Sequence, residues 1–258
     1  MHNTALLTDH YEVTMVAAAL RQPLAQRQCV FEVFARRLPD GRRYGVVAGT
    51  GRVIDELAHF RFGPEELAVV ERFCDADTLA WLRDYRFSGD IDGYREGELY
   101  FPGSPILTVR GTFAEAVLLE TMVLSILNHD SAIASAAARM VAAAGSRPVI
   151  EMGSRRTHER AAVAAARAAY IAGVSATSNL EANRTYGVPS AGTAAHAFTL
   201  GFTGPDGTDE KAAFAAQIAA LGIGTTLLVD TYDITQGVRN AIEVAGPELG
   251  AVRIDSGD

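Results

Sequence analysis

Apolar and polar positions along residues 147–258 alternate between two periods. Short apolar runs of strand length stand at Val149–Met152, Val174–Thr177, Thr225–Asp230 and Ala251–Asp255, with a further segment, Ser190–Phe198, centred on His196. Between them lie stretches of helical period. One covers His158–Ala172 and is closed by Gly173, and a brief one ends at Gly187. An Ala-rich one covers Asp209–Leu221, with Thr208 as expected N-cap and Gly222 as C-cap, and the last covers Ile234–Ala245. Strand–helix alternation of this kind predicts a parallel sheet or a β/α barrel. Ser154, Arg155, Ser178, His196, Asp230, Arg253 and Asp255 fall at or near the carboxyl ends of successive predicted strands. In a β/α barrel those ends share one mouth, where catalytic groups collect.

The first half has a different grain. Thr8 is the expected N-cap of a helix with Asp9 and Glu12 in its first turn. Gln28–Ala35 reads as a strand running into Arg36, Arg37, Arg42 and Arg43, a basic cluster that is either a solvated edge or an anion site. Residues 50–86 read as helical, with breaks at Gly63-Pro64 and Asp75–Asp77, and Trp81 as core. Glycines at 89, 93, 97 and 103 punctuate a predicted β-meander over 90–112. Thr112 and Glu115 then form a predicted capping box before a long apolar helical region that reaches Gly145, with an interruption expected near 128–130. A domain boundary is therefore expected near 112: an α+β domain over 1–112, then an α/β domain over 113–258.

Composition narrows the classes. Hydrophobic residues make up 48% and charged residues 21% of the 258, which permits a sizeable core. A net charge of −8 leaves no basic stripe to track nucleic-acid phosphates. Two cysteines, Cys29 and Cys74, cannot make a disulfide framework and fit reduced, structural thiols. The first residues lack the basic and apolar regions of a signal peptide. The apolar stretch near 114–144 is broken by Glu115, Glu120, His129, Asp130 and Arg139, so no membrane span is expected. The expectation is a cytoplasmic protein without nucleic-acid or membrane partners. Signatures for a P-loop, a Rossmann dinucleotide site, zinc ligation and a serine-hydrolase elbow are all absent.

His196 is open to two readings: a hydrogen-bonded structural residue, or a reactive imidazole that a ligand can approach because Gly192–Ala195 are small. Asp230, at a neighbouring strand end, can hold an imidazole in one tautomer. Asp255 suits a vicinal diol, or else closes a strand-end turn with Gly257. Arg155 and Arg156 can clamp a carboxylate or phosphate, or form a surface pair.

Five of these segments, Glu151-Met-Gly-Ser-Arg155-Arg, Ala176-Thr-Ser178-Asn, Gly192-Thr-Ala-Ala-His196, Val229-Asp230-Thr-Tyr-Asp233 and Val252-Arg-Ile-Asp255-Ser-Gly-Asp258, together resemble nicotinate phosphoribosyltransferases in order and spacing. Thr8-Asp9-His-Tyr11 and Phe34-Ala-Arg36-Arg37-Leu-Pro add to the resemblance. The fold this implies is α/β: an incomplete β/α barrel of the type II phosphoribosyltransferase kind, preceded by the α+β N-terminal domain. The activity implied is ATP-assisted transfer of phosphoribosyl from phosphoribosyl pyrophosphate to nicotinate, giving nicotinate mononucleotide.

By the same resemblance, His196 is the histidine that accepts the ATP γ-phosphoryl group, and Asp230 is the carboxylate that orients it. Tyr11 is an aromatic reaching the pyridine ring of a partner subunit, and Arg36 a phosphate contact across a homodimer whose active sites are shared. Thr193, Arg253 and Arg155 line the nicotinate pocket, and Asp255 holds the ribose diol. Mg²⁺ is expected on the phosphates, with few protein ligands and no all-protein cage. Ser178 stands where nicotinamide-using relatives carry an aspartate, which implies nicotinate over nicotinamide, since a hydroxyl donates to a carboxylate that an aspartate would repel.

Members of this family continue well beyond a point equivalent to Asp258, so an eight-strand barrel cannot close with these strands alone. The sequence reads as a fragment or a truncated gene model. Alternatives are a quinolinate- or nicotinamide-using phosphoribosyltransferase, or an inactive fragment that only associates.

Overall fold

The structure, a computed structural model, describes residues 3–205 and 207–256. Helix α1 (His10–Ala19) has its cap one residue later than expected. Asp9 is the N-cap, and the Glu12 carboxylate accepts the Asp9 N–H at 3.2 Å. Thr8 is drawn into a tertiary contact instead, its hydroxyl donating to the Leu118 carbonyl at 3.1 Å. The chain continues through β1 (Gln28–Val33), β2 (Gly45–Val46), α2 (Thr50–Ala58), α3 (Pro64–Val70) and α4 (Ala76–Asp84). The breaks between α2, α3 and α4 fall where Gly63-Pro64 and Asp75 require them, with the Asp75 carboxylate accepting the Thr78 N–H at 2.9 Å.

Strands β3 (Asp90–Gly93), β4 (Leu99–Tyr100) and β5 (Leu107–Thr112) do not form one meander. β1, β5 and β3 make an antiparallel sheet in that order, while β4 pairs antiparallel with β2. The cause lies in Glu96, whose carboxylate accepts the Gly49 N–H at 2.7 Å and a two-pronged contact from Arg167 at 2.8 and 2.7 Å. Residues 96–100 are thereby turned toward 45–49.

Helix α5 (Phe113–Val117) is followed by α6 (Glu120–Ala144), which runs 25 residues without the interruption expected at 128–130. Asp130 is fully buried, and its carboxylate takes contacts from Arg52 at 3.0 and 3.1 Å and from the His129 ring at 2.8 Å. Polar residues that would break an isolated apolar helix are satisfied here by a partner on α2. At the predicted capping box, the Thr112 hydroxyl donates to the Glu115 carboxylate at 2.9 Å rather than accepting a backbone N–H. The main core gathers Val13, Val16, Phe60, Leu82, Leu118, Met122 and Leu127, with Trp81, Cys29 and Cys74 packed half-buried against it.

Beyond α6 the short strands become parallel. β6 (Ile150–Glu151) and β7 (Ala176–Thr177) pair in register on either side of α7 (Glu159–Ile171), and α8 (Leu180–Tyr186) leads to Ser190, which bridges Thr177 in parallel. The segment around His196 is not a strand. It opens α9 (His196–Leu200), followed by a hairpin of β8 (Thr203–Gly204) and β9 (Gly207–Thr208). Thr208 is thus taken up by a strand, and Asp209 caps α10 (Glu210–Leu221), accepting the Ala212 N–H at 2.9 Å. β10 (Thr226–Leu228), α11 (Ile234–Ala245) and β11 (Ala251–Arg253) complete a β-α-β unit with β10 and β11 parallel. Gly237 lets α11 lie directly on β10, because a Cβ there would stand 2.2 Å from the Val229 carbonyl oxygen.

Packing divides the chain into two compact units, Met1–Ser190 and Ala191–Asp258. The first unit holds the antiparallel sheet, α6 and the β6–β7 pair; the second holds a core of Phe214, Leu227, Val229 and Ala241 between β10 and its two flanking helices. No helix among the described residues is long and apolar enough to cross a membrane.

Candidate functional site

In the second unit, β10 and β11 are parallel neighbours, so the residues that follow them emerge at the same edge. Asp230 follows β10 with its side chain 1% exposed. One of its oxygens, Oδ2, accepts the Asp255 N–H at 2.8 Å, the Ser256 N–H at 2.6 Å and the Ser256 hydroxyl at 2.9 Å. Burial works against its charge most strongly, yet the two Ser256 donors, the Asp255 N–H and the nearby His196 together hold the carboxyl below its ordinary range. Its other oxygen, Oδ1, is buried and accepts no hydrogen bond from the described residues.

His196 is the first residue of α9, reached through the small residues Gly192–Ala195. Its Nδ1 lies 3.3 Å from the Thr231 hydroxyl and 3.9 Å from Asp230 Oδ1, and its Nε2 lies 3.8 Å from Asp255 Oδ2. The carboxylate distances exceed hydrogen-bond length. Asp230 is therefore a charge beside the imidazole, and Thr231 is its direct partner. Arg253, the last residue of β11, donates to the Thr193 hydroxyl at 3.0 Å and pairs with Asp255. Thr193, His196, Asp230, Arg253 and Asp255 thus form one connected polar cluster within the second unit. Gly257 and Asp258, the end of the last motif, lie outside the described residues.

The other candidates belong to the first unit. Tyr11 and Arg36 line one cleft of about 730 Å³, together with Asp9, Arg37, Arg42 and Thr121. Tyr11 hydrogen-bonds Thr121, which favours its ionised form; partial burial and Glu120, Glu12 and Asp9 outweigh this and raise its phenol above the ordinary value. Arg155 is exposed in the single turn after β6, and Ser178 is exposed immediately after β7. The Ser178 N–H donates to the Glu151 carbonyl at 2.9 Å, and Asn179 bonds Ser154 at 3.0 Å, which ties the two strand ends together.

Thr231, Ser256 and Asn179 lie inside the motifs quoted from the sequence, but the sequence alone assigned them no role. Each is the residue next to a candidate (Asp230, Asp255, Ser178), so the available signal was the hydroxyl or amide adjoining a strand-end carboxylate or hydroxyl. Among the described residues, no group of three or more His, Cys, Asp or Glu is placed to hold a metal ion.

Residues 6–128 match the family model of the nicotinate phosphoribosyltransferase N-terminal domain. Over 256 residues, 98% of this chain and 57% of the relative, the sequence is 69% identical to nicotinate phosphoribosyltransferase pncB1 of Mycobacterium tuberculosis. It is 38% identical to the Bacillus subtilis nicotinate phosphoribosyltransferase over 98% of this chain and 52% of that protein. The crystal structure of human nicotinic acid phosphoribosyltransferase superposes with a TM-score of 0.83 at 29% identity, covering 97% of this chain and 61% of that one. That of nicotinate-nucleotide pyrophosphorylase from Pyrococcus furiosus gives 0.78 at 26%, covering 98% and 57%. The chain spans about half the length of the curated relatives it matches. By sequence and by fold, it belongs to the nicotinate phosphoribosyltransferase family.

Proposed function

We propose that this chain contributes the reaction site of an ATP-assisted nicotinate phosphoribosyltransferase, in a β/α-barrel setting with an N-terminal domain over residues 1–112. The observation that carries this reading is the cluster in the second unit: an imidazole flanked by two carboxylates, one of them locked by three donors, beside an arginine that bridges a hydroxyl and an acid. The 69% identity to a protein named nicotinate phosphoribosyltransferase supports the phosphoribosyl transfer to nicotinate.

In this reading the His196 imidazole accepts the γ-phosphoryl group of ATP, and the Asp230 charge stabilises the imidazolium that results. Hydrolysis of the phosphohistidine drives the transfer. The ring nitrogen of nicotinate attacks C1′ of phosphoribosyl pyrophosphate, the C1′–O bond breaks, and pyrophosphate leaves. Asp255 grips the ribose diol, while Thr193, Arg253 and Arg155 hold nicotinate and Ser178 admits its carboxylate. Tyr11 and Arg36 serve the site of a second copy across a homodimer. The carboxylates beside His196 do not make a cage for Mg²⁺, because Asp230 Oδ2 is committed to three donors and Asp255 to Arg253. In this reading magnesium enters with the polyphosphates.

The test is nicotinate-dependent phosphate release from ATP, with nicotinate mononucleotide measured as product. His196→Ala is expected to abolish both. Turnover of quinolinate without ATP would favour the other phosphoribosyltransferase class. Self-association without a thermal shift on adding phosphoribosyl pyrophosphate would favour a chain that only associates.

A further inference from the structure

Among the described residues, Nδ1 of His196 has a neutral hydroxyl, that of Thr231, as hydrogen-bond partner at 3.3 Å, with the Asp230 carboxylate farther off at 3.9 Å. On the opposite side of the ring, Nε2 faces Asp255 at 3.8 Å. Two carboxylates at nearly equal distance would leave the imidazole proton undecided if they were equivalent. They are not. Asp230 has a side chain 1% exposed, and its Oδ1, the oxygen toward the ring, accepts no hydrogen bond from the described residues. Asp255 has a side chain 32% exposed, and its charge is paired with Arg253. A buried, unspent oxygen exerts the larger field, because neither water nor a guanidinium screens it. The Thr231 hydroxyl lies on that side, and its oxygen can accept a hydrogen bond from an Nδ1–H.

We infer that Thr231 is the positioning residue of the site: its hydroxyl holds the His196 ring with the proton on Nδ1 and leaves the Nε2 lone pair free. The inference rests on the phosphohistidine reading given above and adds to it the atom that reacts and the residue that selects it. In the step, the Nε2 lone pair attacks the γ-phosphorus of ATP, the bond from that phosphorus to the β,γ-bridging oxygen breaks, and ADP departs with its electron pair. The ring keeps its proton on Nδ1, hydrogen-bonded to the Thr231 oxygen, and gains a positive charge beside Asp230. Attack by water on phosphorus later returns the N–P electron pair to Nε2 and releases phosphate and a proton. Thr231 touches no reacting atom; it acts through the ring.

The decisive experiment uses the full chain labelled with ¹⁵N in its histidine rings. The chain has six histidines, and the spectrum of a His196→Ala protein assigns the one concerned. The expected wild-type spectrum shows His196 with a protonated Nδ1 and an unprotonated Nε2. Thr231→Val keeps the branched shape and removes the hydroxyl, so mixed or reversed tautomers are expected; Thr231→Ser restores the wild-type pattern. In parallel, transfer of labelled γ-phosphate from ATP to His196 should slow by about 10- to 100-fold in Thr231→Val, by analogy with the cost of removing the outer partner of a metal-bound imidazole. Thr231→Ser should stay within a few-fold of wild type. A wild-type ring protonated on Nε2, or a valine variant with unchanged tautomer and unchanged labelling, overturns the inference. Absence of labelling in the wild-type protein overturns the phosphohistidine reading instead, while the tautomer spectra still decide whether Thr231 orients the ring.

Discussion

Asp230→Asn isolates what a single charge does for the chain that follows β11. In the native protein, Oδ2 accepts three hydrogen bonds, at 2.8, 2.6 and 2.9 Å, from the Asp255 N–H, the Ser256 N–H and the Ser256 hydroxyl. Asparagine offers an oxygen of the same shape without the charge. A hydrogen bond to a charged group contributes about 1.5–3 kcal/mol net and a neutral one about 0.5–1.5. The loss is thus about 1 kcal/mol per bond. Because the three share one oxygen and are not fully additive, the total is about 2–3 kcal/mol. At 1.4 kcal/mol per factor of ten, the amides of 255 and 256 should exchange with solvent about 30- to 150-fold faster. Global stability should change far less, since the substitution also removes the cost of burying a carboxylate, the strongest influence on this group.

The pH dependence carries a sign. The Asp230 carboxyl lies below its ordinary range in the folded protein. Its contribution is therefore fully present above the ordinary aspartate range and is lost as pH falls through the depressed folded value. After correction for intrinsic exchange, protection of the Ser256 amide should fall in that window in the native protein and stay flat in Asp230→Asn. Hydrogen exchange read over residues 252–256 is the assay. Equal protection in the two proteins at neutral pH would refute the reasoning, because the charge would then contribute nothing to holding Asp255 beside His196.

Arg52→Ala leaves the fully buried Asp130 with His129 as its remaining side-chain hydrogen-bond partner among the described residues and Arg167 as a nearby charge, and breaking a buried ion pair on one side costs about 3 kcal/mol or more. A melting temperature lower by roughly 6–12 °C is expected, measured by calorimetry. Adding Asp130→Asn should recover part of it, and no recovery would mean that lost packing of the arginine stem is responsible. Ser178→Asp places a carboxylate on an exposed strand-end position where we propose that nicotinate is admitted. Nicotinate use should fall relative to nicotinamide, read as the ratio of kcat/KM for the two substrates, and an unchanged ratio would count against Ser178 as the selecting residue.

Several elements were legible from local chemistry alone. The breaks at Gly63-Pro64 and Asp75, the helix ending at Gly222 and the helix over 234–245 follow from caps, glycine conformation and apolar period, which act within a few residues. Apolar runs ending in a polar residue likewise mark the β6, β7, β10 and β11 regions. Where two local choices compete, the sequence reads ambiguously. Thr8 and Thr208 are good caps in isolation, yet Asp9 and Asp209 take the role because each threonine is claimed by a tertiary or strand contact.

By itself, then, the sequence determined the periodic elements, the acidic balance and the order of motifs that marks the family, because these depend on neighbours a few bonds away or on likeness along the chain. Tertiary structure alone decided that β4 pairs with β2, that α6 runs unbroken past Asp130, and that the His196 segment is helical. It also decided that a threonine rather than an aspartate meets the imidazole. Three of these features turn on a partner distant in sequence: Arg167 for Glu96, Arg52 for Asp130, Thr231 for His196. Only the closed fold brings such partners within the 3–4 Å over which hydrogen bonds and ion pairs act.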